Sequence, residues 1–63
     1  MTFVWWFLNS EGNSVGSSEP FEDRESAEQW MGRSWQKLLG DGVEKVELFE
    51  EDRRLYRMGL REA

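Results

Sequence analysis

Residues 2–8 read Thr-Phe-Val-Trp-Trp-Phe-Leu, and the fold turns on how this stretch is taken. It is β-branched and aromatic almost throughout, a composition that packs well on a pleated surface and gives up side-chain freedom in a helix, so it predicts a first strand. Ser10-Glu11-Gly12-Asn13 then supplies turn chemistry, and the chain should return as a hairpin through Ser14 to about Ser18. With Glu11-Gly12 as a two-residue loop, Leu8 faces Val15 and Trp6 faces Ser17. That register gathers Val4, Trp6, Leu8 and Val15 on one side of the ladder and Phe3, Trp5 and Phe7 on the other. The return strand is polar and stops at Pro20, which has no N–H to give a ladder, as expected of an edge strand.

Beyond the hairpin the period changes. Asp23 is a good helix N-cap, with Glu25 and Glu28 in the early turns where acids complement the helix dipole. Ala27, Trp30, Met31, Ser34, Trp35, Leu38 and Leu39 recur at three- and four-residue spacing, and Gly40-Asp41-Gly42 offers a left-handed stop. A helix over about Arg24–Leu39 follows, with Gly32 inside it at a cost of about 1 kcal/mol relative to alanine. From Val43 the period is two, with Val46 and Leu48 on one face and Val43, Lys45, Glu47 and Phe49 on the other, until Glu50-Glu51-Asp52 makes a turn. Arg54–Leu60 resumes as a fourth strand with Tyr56, Met58 and Leu60 on one face. The chain is therefore read as a single α+β domain over residues 1–63, ββαββ, a four-stranded antiparallel sheet with one helix packed on one face. Local pattern leaves open the strand order and which face of strand 1 lies under the helix.

Composition narrows the function. The 63 residues contain no cysteine and no histidine, so neither disulfides nor a Cys/His metal site can staple the fold. Stability must come from packing of four tryptophans, four phenylalanines and one tyrosine, each able to bury roughly 150–250 Å². The apolar run Phe3–Leu8 is too short for a signal h-region or a membrane span, so the expected address is the cytoplasm and no membrane partner is implied. A net charge of −5 favours solubility and disfavours generic nucleic-acid binding. The bases cluster at Arg53, Arg54, Arg57 and Arg61, while acids dominate Glu19–Glu28 and Glu44–Asp52, which makes the surface dipolar.

Within Ser17–Met31, the string SSEPFEDRESAEQWM resembles the strand-to-helix segment of the small YegP-like family, through Ser18, Glu19, Phe21, Arg24, Ala27 and Glu28. The likeness covers about a quarter of the chain, which departs from the family pattern in its Glu11-Gly12-Asn13 turn and in the hairpin after the helix. The resemblance implies a sheet covered on one face by a helix, often paired with a second copy, and transfers no active site.

Catalysis finds little to work with. Nucleophilic chemistry needs a base beside a Ser, Thr or Lys, and Ser14, Ser17 and Ser18 read as solubilising edge residues. Glu50, Glu51 and Asp52 read as a solvated acidic turn without the spacing of a calcium loop. Gly40-Asp41-Gly42 follows a helix instead of opening one, so it is a cap and no phosphate cradle. No enzyme, metal or cofactor is indicated.

The informative feature is the sheet, because one helix covers only one face while strand 1 is apolar on both. If Val4, Trp6, Leu8, Val46, Leu48, Tyr56 and Met58 pack under the helix, then Phe3, Trp5, Phe7, Phe49, Leu55, Arg57 and, at the margin, Val43 lie outside as a binding face of aromatics and arginine. The bland alternative is a central strand 1 whose aromatics are screened by Lys45 and Arg57. The leading expectation is a non-catalytic interaction module, a homodimer or a binder of another protein through that face. Single-stranded nucleic-acid binding on the same aromatic and arginine face ranks second, against the net charge. An acidic DNA mimic ranks third, because Arg24, Arg33, Lys37, Arg53 and Arg54 interrupt the acids.

Overall fold

The computed structural model describes residues 1–60; Arg61, at the end of the basic cluster, lies outside them. The elements run β1 (Phe3–Leu8), β2 (Ser14–Ser17), α1 (Arg24–Gly40), β3 (Lys45–Glu50) and β4 (Arg53–Gly59), the expected ββαββ order. All pairings are antiparallel, and the sheet order is β2-β1-β3-β4. β1 is thus central, and the short polar β2 is an edge, as its composition implied.

The first turn differs from the two-residue loop expected for it. Asn9 organises it: its side-chain Oδ1 accepts from the N–H groups of Glu11 and Asn13, and Gly12 takes the left-handed φ of 85°. Asn9 and Asn13 close the loop, and Leu8 pairs with Ser14. The ladder then recovers the expected Trp6–Ser17 pair by bulging out Val15, which becomes 55% exposed instead of facing Leu8. Past the end of β2, the chain keeps bonding to β1. Ser18 Oγ accepts from the Trp5 N–H at 2.9 Å, and Phe3 and Phe21 exchange backbone bonds at 2.8 and 2.7 Å.

The helix starts where Asp23 Oδ1 accepts the Ser26 N–H at 2.7 Å. It ends in a 6→1 bond from Val43 N–H to Leu38 O and a 5→2 bond from Gly42 N–H to Leu39 O, with Gly42 at φ 98°. Every residue of the apolar stripe read from the sequence is buried or half-buried, and the rest of the helix is exposed. Gly32 is exposed, and a Cβ there would meet nothing within 4 Å, so no close approach requires it.

The core joins Phe3, Trp5, Ala27, Met31, Val43, Val46, Leu48 and Leu60. Here β1 departs from expectation: Phe3, Trp5 and Phe7 face the helix, and Val4, Trp6 and Leu8 face away. β1–β3 pairing makes the case, since Trp5 opposes Leu48 and Phe7 opposes Val46, both fully buried under the helix. The physical reason is payload. Three rings bury more apolar area than one ring and two aliphatic chains, and the Trp5 indole N–H finds an acceptor in the Ala27 carbonyl at 2.8 Å.

Candidate interaction surface

The face of the sheet opposite the helix is covered by no element among the described residues. Alternation and register place Val4, Trp6 and Leu8 there from β1, and Lys45, Glu47 and Phe49 from β3. Arg57 joins them opposite Glu47, and Arg54 joins opposite Phe49 after a bulge in the β3–β4 ladder. Trp6 is 40% exposed and meets Phe49 edge to face, with ring centroids 6.4 Å apart. Arg54 Nη1 donates to Glu47 Oε2 at 2.9 Å. A shallow cleft of about 350 Å³ runs across this face from Leu8 and Ser14, over Trp6, Glu47 and Phe49, to Glu51 and Asp52 at the β3–β4 turn.

Of the residues the sequence assigned to a binding face, only Phe49 and Arg57 take that position by register. Phe3, Trp5 and Val43 are buried, and Phe7 stacks on Trp30 with centroids 6.1 Å apart. Leu55 sits at the β3–β4 bulge, half-buried against the core cluster. Trp5 and Arg57 therefore do not meet on one surface. What sequence reasoning missed is Trp6, with Val4 and Leu8 on the same face. The available signal was ring count: the face with three aromatics had the stronger claim to the interior.

On the helix side, two grooves flank α1. One of about 320 Å³ lies between α1 and β4, lined by Trp5, Met31, Gly32, Trp35, Tyr56 and Met58 beside Glu28. The other, about 490 Å³, lies towards β2 and is lined by Phe7, Trp30 and Leu38 with Ser17, Ser18 and Lys37 among its polar groups.

The first groove is closed at one side by a clasp. Tyr56 O–H donates to Glu28 Oε2 at 3.0 Å, Arg24 Nε donates to the same oxygen at 3.0 Å, and the Arg24 guanidinium lies 5.3 Å from the Tyr56 ring centroid. The Arg24 bond first, then the Tyr56 hydroxyl, holds the Glu28 carboxyl below its usual range. Burial first, then the Glu28 carboxylate, pushes the Tyr56 phenol up. Both shifts keep the pair in its resting charge state at neutral pH, and the clasp ties β4 to the helix. Among the described residues no three His, Cys, Asp or Glu side chains converge as metal ligands, and no helix is long and apolar enough to cross a membrane.

Comparison of the chain with protein-family models, with curated proteins and with solved structures finds no match in any of the three.

Proposed function

We propose that this chain is a non-catalytic protein-interaction module that works through the open sheet face centred on Trp6. The observation that carries this reading is the exposed Trp6 ring set edge to face on half-buried Phe49 on an uncovered face, with half-buried Val4 and buried Leu8 beside it. Tryptophan anchors beside arginine are the residue types that dominate binding hot spots. The sheet edges support the same choice. β2 has four residues and small polar side chains, and β4 carries Arg53, Arg54 and Arg57, features that discourage strand addition and leave the face as the sticky surface. Glu47, Glu51 and Asp52 line the cleft beside Trp6, which favours a protein partner over a single-stranded nucleic acid, whose phosphates they repel.

The test is positional crosslinking in cells that express the chain. A photoreactive residue in place of Ser14, which lines the open-face cleft with Trp6, should give protein adducts that Trp6→Ser removes. The same residue in place of Arg33, on the exposed side of the helix, should give none. Equal adducts from both positions would defeat the reading. Single-stranded oligonucleotides at low salt should leave tryptophan emission unchanged; saturable quenching that falls steeply with salt would favour nucleic acid instead.

A further inference from the structure

The charges on the open face are ordered along the strands. Lys45 stands at the Leu8 end of β3, Glu51 and Asp52 at the opposite end in the β3–β4 turn, and the apolar residues Val4, Trp6 and Phe49 lie between. Glu47 and Arg54 already neutralise each other. Lys45, Glu51 and Asp52 have no side-chain partner among the described residues. Lys45 and Glu51 are separated by roughly 20 Å of strand at about 3.3 Å per residue. The face thus has one free positive end and one free negative end with an aromatic middle.

Resting on the reading of this face as the interaction surface, we propose that its occupant is a second copy of the chain, stacked face to face about a two-fold axis that runs across the strands at the Trp5–Leu48 level. Such an axis reverses direction along the strands and keeps each strand over its equivalent. It brings Lys45 over Glu51 and Asp52 of the second copy, twice, because the interface is isologous. The same operation carries Trp6, which pairs with Glu47, onto the Val4–Phe49 level of the second copy, where its exposed ring meets apolar side chains. Arg57 falls over Arg54 of the second copy, whose charge Glu47 balances. The competing two-fold axis, parallel to the strands, keeps every residue at its own level along the strand, so it gathers the two Lys45 ends together and the two Glu51 ends together. Like-charge juxtaposition rejects it. Aligned packing of two twisted sheets about 10 Å apart is an established way of joining two such faces.

Sedimentation velocity on the full chain over a micromolar to millimolar range tests the geometry by charge reversal. Wild type should dimerise. Lys45→Glu alone, and Glu51→Lys with Asp52→Lys, should each weaken the dimer by about tenfold, as two symmetry-related exposed pairs turn from attraction to repulsion. The three substitutions together should restore the dissociation constant to within about threefold of wild type, since the cycle isolates the pairing. Far-UV spectra check that every variant is folded, so that loss of the dimer is not loss of the chain. A wild-type dimer that Trp6→Ser breaks but charge reversal leaves unchanged, or reversals that add without rescue, would overturn this axis while leaving the open-face module standing. A wild type that stays monomeric throughout would overturn the second copy as occupant, and the crosslinks from position 14 would then report some other protein. Loss of those crosslinks as well would remove the module reading itself.

Discussion

Trp5 and Trp6 are adjacent and chemically identical, yet they live in different solvents. Trp5 is 1% exposed, donates its indole N–H to the helix at Ala27 and meets Tyr56 edge to face at 5.9 Å. Trp6 is 40% exposed, leans on Phe49, and its indole N–H meets no acceptor among the described residues. The helix makes the difference. It brings both the apolar cover and the carbonyl that a buried indole requires, whereas the open face offers one neighbouring ring and water. One side of the sheet therefore holds the fold together, and the other is left uncovered among the described residues.

The sharpest way to break this comparison is to truncate the two rings separately. Trp5→Ala should cost about 3–5 kcal/mol, comparable with the whole stability of a small domain, and leave the chain largely unfolded by far-UV circular dichroism. Trp6→Ala should cost about 1 kcal/mol or less in urea titrations, because much of its ring already faces water. The reverse ranking would mean that the two faces are exchanged.

Trp30→Ala should fall between them, at about 2 kcal/mol. Its ring is half-buried, stacked on Phe7 and tilted against Phe21 at 5.7 Å, so it covers the inner face without lying at its centre. A loss as large as that of Trp5→Ala would place the centre of the core under Trp30 instead.

Gly32→Ala sharpens the account of the helix that separates the two faces. The added methyl meets nothing, and the helix gains propensity, so thermal unfolding should report stabilisation by about 1 kcal/mol. Destabilisation would mean that the groove beside Trp5 is narrower than described.

The smallest effect is in the pH dependence. The Ser26 backbone N–H, then its hydroxyl, hold the Asp23 carboxyl below its ordinary value of 3.8, and Arg24 and Tyr56 do the same for Glu28. Their contribution is present above the ordinary carboxylate range and is lost as pH falls through the lower folded values. Tyr56 runs the other way: raised above 10.0, it contributes below that pH and loses the contribution as pH rises through its folded value. Asp23→Asn keeps a good cap without the titration, so it should flatten the acid limb of the stability profile while leaving neutral stability nearly unchanged.

Much of this architecture is written locally. The helix could be read because Asp23, the stripe from Ala27 to Leu39 and the Gly42 stop each act within a few residues of chain. The inner face of β3 could be read because Val46 and Leu48 alternate with charged residues, and the turn at Glu51-Asp52 followed from the acids that interrupt it. The edge position of β2 followed from its polarity and from Pro20. The orientation of β1 was not local. Its residues are apolar on both sides, so no alternation marks a wet face, and a strand of this kind satisfies period two either way up. Only the ladder to β3, some forty residues away in sequence, and the acceptor at Ala27 select Phe3, Trp5 and Phe7 for the interior. The sequence by itself determined that this chain has one more apolar sheet face than its single helix can cover. Only the tertiary structure decided that Trp6 occupies that face, because which side of a two-faced strand is buried depends on partners the strand meets after folding.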